Sequence, residues 1–295
     1  VLAHEISHHL GLHTVAITIA NWLSSPAVFL AQLGFFSENV SQAAAQSFGR
    51  HSPVIEVVGQ FSATFFTSVS WRFTAALRAA GGAIRAVDMV MAGEANNVFV
   101  ATRPPGHHCE RETAMGFCFF GNVALAAKHA LDHHGLKRVA IVDFDVHHGN
   151  GTQDLVEGDS RIFFASTHQM PLYPGTGHAH ETGGYANVMN CPLPDGAGGK
   201  AFRAVMEAEI LPAIDRWAPD FLLISAGFDA HKADPLAGMT LTEDDFAWVT
   251  QRLCDLAAKH CQDRVVSCLE GGYDLEALAA CAVAHVNVLK EQTNG

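Results

Sequence analysis

A chain of 295 residues, 49% hydrophobic and 16% charged, can bury a large core and suits one soluble globular domain with an appendage. The formal net charge of −12 argues against nonspecific binding to nucleic acid, which needs clustered Lys and Arg, and is compatible with cationic partners such as lysine-rich tails or polyamines. Seven cysteines, scattered and without a C-x-x-C, argue against a disulfide framework and for a reducing cytoplasm.

The chain opens at Val1 rather than Met, which points to a fragment or a processed product. No basic segment precedes the first apolar stretch, as a secretory signal requires. His4-Glu5 with His8 matches the zinc-peptidase pattern H-E-x-x-H. The longer form of that pattern fails, because Thr14 stands where a third His belongs and His13 falls one place short. The match is read as a His-rich helix start without activity. Val15 to Phe36 carries no charge and is long enough to span a membrane, but Asn21, Ser24, Ser25 and Pro26 interrupt it. A buried helix pair around Pro26 is the preferred reading. Residues 1–67 remain an unassigned segment, and the regular domain is expected over 68–295.

From Ser70 the elements alternate. Ser70–Ala92 reads as a helix, Val98–Thr102 as a strand, Phe119–His134 as a helix and Arg138–Phe144 as a strand. Arg161–Ser166 is a further strand, Lys200–Trp217 a helix that Pro219 ends, and Phe221–Ser225 a strand. Thr242–His260 is a helix with Thr242 as cap and Asp245 three residues on. Val265–Leu269 and Leu275–Lys290 close the pattern as strand and helix. Strands apolar on both faces, alternating with helices, predict an α/β fold with a parallel sheet covered on both sides.

In such a sheet, ligands bind beyond the carboxyl ends of the strands, and the polar clusters fall there. His107 and His108 follow the first strand, Asp143, Asp145 and His147 the second. Asp229 follows Phe221–Ser225, and Tyr273 follows Val265–Leu269. Alternate residues at a strand end point the same way, so Asp143, Asp145 and His147 can converge. Asp and His suit zinc or another divalent ion, and Asp229 is the donor expected from another strand end. A His beside metal-bound water can serve as general base and then acid. Gly271 and Gly272 let the backbone approach a ligand, and the Tyr273 hydroxyl can stabilise an oxyanion.

These motifs are Arg103-Pro-Pro-Gly-His107-His108, Gly116-Phe117-Cys118-Phe119, Asp143-x-Asp145-x-His147-His148-Gly149-Asn150-Gly151, Ser225-Ala-Gly-Phe-Asp229 and Glu270-Gly-Gly-Tyr273. In this order they resemble the histone deacetylase and acetylpolyamine amidohydrolase family from about Ser68 to Lys290. The resemblance implies a three-layer, arginase-like fold and zinc-dependent removal of acyl groups from lysine side chains of peptides or proteins, with acetylated polyamines as the alternative substrate. It puts zinc on Asp145, His147 and Asp229. It makes His108 the general base and acid, and His107 an electrostatic partner oriented by Asp143. Tyr273 would polarise the acetyl carbonyl. Phe117 and Tyr173 would line the acyl-lysine channel, bordered by Gly116, Gly271 and Gly272, with Leu236 at its mouth. A structural potassium ion would lie among Asp143, Asp145, His147, Ser166 and Thr167.

Asn150, which would orient the second His, resembles the class II branch. Lacking a carboxylate charge, it predicts a less basic His pair. Residues 1–67 depart from the family, whose opening H-P-E-like segment is not found there. A binuclear manganese ureohydrolase on the same fold would need further carboxylates where Asn150, Ala230 and His231 stand. A non-catalytic binding scaffold would not need His107, His108 and Tyr273 together.

Overall fold

The computed structural model describes residues 53–292, with side chains from residue 71 onward. The H-E-x-x-H match and the uncharged stretch 15–36 lie outside the described residues. The chain divides into two compact units, and the one holding Arg78 onward contains the sheet and every candidate site residue.

The sheet runs β1 (Asn97–Val100), β2 (Val139–Asp143), β3 (Ile162–Gln169), β4 (Val188–Leu193), β5 (Phe221–Ala226) and β6 (Val265–Leu269) along the chain. In space the order is β1-β6-β5-β2-β3-β4, all pairs parallel. The helices are α1 (Pro53–Met91), α2 (Asn122–Asp132), α3 (Asn150–Val156), α4 (Gly199–Val205), α5 (Leu211–Trp217), α6 (Glu243–His260) and α7 (Leu275–Glu291). No described helix is long and apolar enough to cross a membrane.

Alternation along β2 explains the layers. Val139 and Ile141 join Ala83, Val87 and Val90 of α1 and Val123, Ala127 and Leu131 of α2 in one core. Ala140 and Val142 face the other way, into a core with Phe202, Ile214, Phe246, Leu253, Leu278 and Val286. The sheet is therefore the middle of three layers, as expected.

Of four departures, two have local causes. The helix expected over Lys200–Trp217 is interrupted by a π-helical segment at Met206–Ile210, just ahead of Pro212. Proline has no N–H to donate and its ring crowds the carbonyl four residues back, so the α ladder cannot run through it. Strand β4 was not expected. Its Asn190, Cys191 and Pro192 dilute the apolar signal, and an edge strand tolerates proline. The short helix α3 was also not expected. Helix α1 begins at Pro53, well before Ser70, and runs continuously past residue 67. The Thr242–Asp245 capping box forms as expected.

From β2 the chain moves outward through β3 and β4, then returns to lay β5 and β6 on the other side of β2. The direction reverses between β2 and β5. A crevice opens at such a switch point, outside the carboxyl ends of the two strands. Asp145 and His147 leave the end of β2 there, and Asp229 leaves the end of β5.

Candidate active site

Each carboxylate at the switch point is fixed by backbone N–H groups. Asp143 Oδ1 accepts from Asp145 N at 3.0 Å, and Asp145 Oδ1 accepts from His147 N at 2.9 Å. Asp229 Oδ1 accepts from Val146 N at 3.0 Å, tying the end of β5 to that of β2. Gly271 N, arriving from β6, donates to Asp145 Oδ2 at 2.7 Å. A Cβ at Gly271 would press on the Asp145 and Asp229 carboxylates, so only glycine lets this strand end come so close.

His147 Nδ1 lies 3.1 Å from both Asp145 Oδ1 and Asp229 Oδ2, and ligand atoms of the three residues lie within 4.8 Å of one another. All three are buried. Two buried carboxylates sharing one imidazole, with Asp143 directly behind, form a concentration of negative charge that is costly without a cation. The site therefore fits a divalent metal ion held by two oxygens and a nitrogen, with room left for further ligands.

The Pro104–Cys109 loop delivers the histidine pair. Glu270 Oε2 accepts from Gly106 N at 2.7 Å and His107 N at 3.1 Å, and its Oε1 accepts from Ser225 Oγ at 3.1 Å. His107 Nδ1 faces Asp143 Oδ2 at 3.0 Å, and its Nε2 lies 3.8 Å from Asp145 Oδ1. His108 Nδ1 faces Asn150 Oδ1 at 2.8 Å, while Asn150 Nδ2 donates to Glu110 Oε1 at 2.6 Å. The Glu110 carboxylate can only accept, so it fixes which end of the Asn150 amide faces His108. His108 must then donate from Nδ1, which leaves Nε2 as a free acceptor.

Charge divides the pair. Burial alone would lower the His107 pKa, but Asp145 and Asp143 outweigh it and hold the imidazole well above its usual range. Burial, followed by the charge on His107, pushes His108 down to about 3. The expectation of a pair made jointly less basic is corrected on this point. Only His108 is less basic, and burial beside a charged neighbour is the cause; its hydrogen bond to Asn150 works in the opposite direction. Burial and then the Asp145 charge push Asp229 up to about 6. Burial, then Asp145 and Asp229, raise the Tyr273 hydroxyl.

The aromatic residues converge above. The rings of His108 and Tyr173 are 5.1 Å apart, and those of Phe117 and Tyr273 6.2 Å. Gly116 and Phe117 both take positive φ, 55° and 64°, which turns the Phe117 ring out to 69% exposure. A Cβ on Gly116 would lie 2.6 Å from His108 Cγ, so a larger residue would displace the His108 ring. Gly272, at φ 132°, occupies backbone space that other residues rarely adopt. Leu236 is half-exposed on a loop held by Asp234, whose Oδ1 accepts from Leu236 N at 3.0 Å and Oδ2 from Tyr273 N at 2.7 Å. Ser166 pairs with Asp143 across β2 and β3, next to Thr167, and both are buried.

Four residues in this frame had no role in the sequence reading: Glu110, Glu270, Asp234 and Arg103. The Arg103 guanidinium lies 5.4 Å from the centre of the Tyr273 ring and donates to the Glu270 carbonyl at 2.9 Å. Arg103 and Glu270 sit inside the motifs quoted above, and Asp234 stands two residues before Leu236, but the partners Glu270, Gly106 and Tyr273 are distant in the chain. The additional carboxylates of a second metal are not assembled at the strand ends among the described residues; His231 Nδ1 accepts from Ala233 N there.

The described fold and site coincide with a known family. A model described as "Histone deacetylase domain" matches residues 33–289, and the chain belongs to that family. The chain is 48% identical over 216 residues to "Histone deacetylase 10, chloroplastic" of Oryza sativa subsp. japonica, covering 70% of this chain and 49% of that one. It is 47% identical to "Histone deacetylase 14, chloroplastic" of Arabidopsis thaliana, covering 74% and 53%. With "Probable deacetylase" of Archaeoglobus fulgidus the identity is 42%, covering 75% and 65%. The crystal structure of the HDA15 HD domain superposes with a TM-score of 0.69 at 40% identity, covering 73% of this chain and 62% of that one. The chain thus spans about half the length of the plant relatives.

Proposed function

We propose that this domain hydrolyses the acyl amide of lysine side chains in peptides or proteins, using one zinc ion held by Asp145, His147 and Asp229. The observation that carries the reading is the buried Asp–His–Asp cluster with the free Nε2 of a neutral His108 beside it. Zinc, when bound, would polarise the acetyl carbonyl and acidify a water. His108 takes the proton of the attacking water and returns it to the lysine nitrogen as the amide C–N bond breaks. His107, held charged between Asp143 and Asp145, stabilises negative charge developing at the carbonyl carbon's oxygens. Tyr273 donates to that oxygen, and its raised pKa keeps the proton in place near neutral pH. Phe117 and Tyr173 offer ring faces to the aliphatic stem of lysine. A potassium ion among Asp143, Asp145, His147, Ser166 and Thr167 would offset the remaining carboxylate charge. The seven free cysteines suit a reducing compartment such as the cytoplasm.

Leu236 supports peptides over acetylpolyamines, because a second ammonium finds no carboxylate at that position. A carboxylate there could add about 1 kcal/mol of attraction in a partly desolvated channel. The test compares kcat/KM for an acetyl-lysine peptide and for N8-acetylspermidine on zinc-loaded protein, then repeats both with Leu236→Glu. Preference for the peptide, shifting toward the polyamine in the variant, is expected. A native preference for the polyamine overturns the substrate assignment, and no turnover of either overturns the activity.

A further inference from the structure

A second cluster of metal-ligating side chains lies at the other end of β2. Asp88 projects from the last turns of α1, His129 from the last turn of α2, and His133 and His134 from the residues that end α2. His129 Nε2 and His134 Nε2 both face Asp88 Oδ1, at 2.7 and 2.8 Å. The His133 ring stacks on His129 with centroids 4.7 Å apart and planes 10° apart, and lies 4.9 Å from His134. One ligand atom from each of the four lies within 4.8 Å of the others. We propose that Asp88, His129, His133 and His134 form a second, structural site for a zinc-class divalent ion, separate from the catalytic cluster.

The donor set suits this chemistry. Three imidazoles and one carboxylate satisfy a tetrahedral zinc ion, whose ligand atoms, at bonds of 2.0–2.1 Å, stand about 3.3 Å apart. The near pairs must open by about half an ångström and the far ones close, within reach of side chains that keep some exposure. His129 and His133, four residues apart, occupy one face of the helix. The backbone holds them there, since His133 N donates to His129 O at 3.0 Å. The carbonyl end of α2 adds negative potential. Nearby cations are engaged elsewhere: Arg85 with Glu94 at 2.7 Å, Lys128 with Asp159 at 3.7 Å and Arg161 with Asp132 at 2.8 Å. On binding, His129 and His134 carry their protons on Nδ1 and present Nε2 to the ion. The ion would clamp the end of α1 to the end of α2, apart from the catalytic cluster.

Metal counting on tag-free, metal-stripped protein re-equilibrated with zinc tests the proposal. Wild type should bind two zinc ions per chain, and His129→Gln/His134→Gln one, with unchanged acetyl-lysine turnover. Asp229→Ala should keep one, and with cobalt in place of zinc it should show the visible absorption of a tetrahedral site. Zinc should raise the Tm of Asp229→Ala but not of that variant carrying the two glutamines as well. One zinc in wild type that Asp229→Ala removes, or two zincs in the double glutamine variant, overturns the proposal. A single wild-type zinc lost in the glutamine variant and kept in Asp229→Ala would instead sink the catalytic metal assignment and leave this one standing. Should Asp229→Ala not fold, the count of wild type against the double glutamine variant decides.

Discussion

The two Asp–His clusters at opposite ends of β2 use the same residue types for different ends. At the carboxyl end the carboxylates are wholly buried, each held by a backbone N–H, and glycine admits the neighbouring strand. At the amino end, Asp88 and its imidazoles sit on helix ends and remain partly exposed. Burial converts proximity into charge separation: Asp145 and Asp143 hold His107 well above its usual range, while burial and the charge on His107 push His108 down to about 3. At Asp88 burial is slight, and the two imidazoles merely outweigh it to lower the carboxyl pKa. A site for chemistry thus differs from a site for anchoring in how firmly the fold prevents its groups from relaxing.

The largest expected effect breaks the buried cluster. Asp229→Ala should lose the catalytic metal and nearly all turnover, because the remaining two ligands cannot hold a catalytic ion. Metal content and turnover measured together check this, and full activity in the variant would remove Asp229 from the ligand set. Tyr273→Phe should keep the fold and metal while slowing turnover about 100- to 1000-fold, the usual cost of one oxyanion donor. An unaltered kcat would exclude the hydroxyl from the reaction. His108→Ala should cost on the order of 100-fold or more, with metal content unchanged.

The smallest effect isolates burial without charge. His285 lies in the core between Thr250 Oγ1 at 2.7 Å and Ser267 Oγ at 2.9 Å, and burial lowers its pKa to about 3. Above the ordinary value of 6.5 both folded and unfolded chains carry it neutral. Below 6.5 the unfolded chain takes up a proton that the folded one refuses, so stability falls with pH between about 6.5 and 3. The loss at pH 5 should reach about 2 kcal/mol. Urea unfolding at pH 7 and pH 5 should show a steeper decline for wild type than for His285→Asn, and equal declines would contradict the assignment.

How much of this was legible depended on distance along the chain. Asp143, Asp145 and His147 announce themselves by alternation after an apolar strand, and Val265–Leu269 emerged with the expected bounds. Strand β4 did not, because an edge position asks little of its residues. The supporting carboxylates were hidden for another reason. Glu270 serves Gly106 and His107 across more than 160 positions, and Glu110 serves Asn150 across 40. Acceptor roles of that kind leave no periodic trace. The His129–His133 spacing is visible in sequence, whereas its meeting with Asp88 is set only by the packing of two helices.

The strand order also sets a timetable for synthesis. Among the described residues, β1 ends at Val100 and pairs only with β6, which begins at Val265. A ribosome adding about 5–20 residues per second emits the second strand roughly ten to thirty seconds after the first. Through that interval β1 has no sheet partner among the described residues, and its apolar Val98, Phe99 and Val100 depend on other cover. Gly271, which closes over Asp145, arrives just after the missing strand. The nascent chain therefore cannot assemble a working centre early, and its most exposed period is the wait for β6.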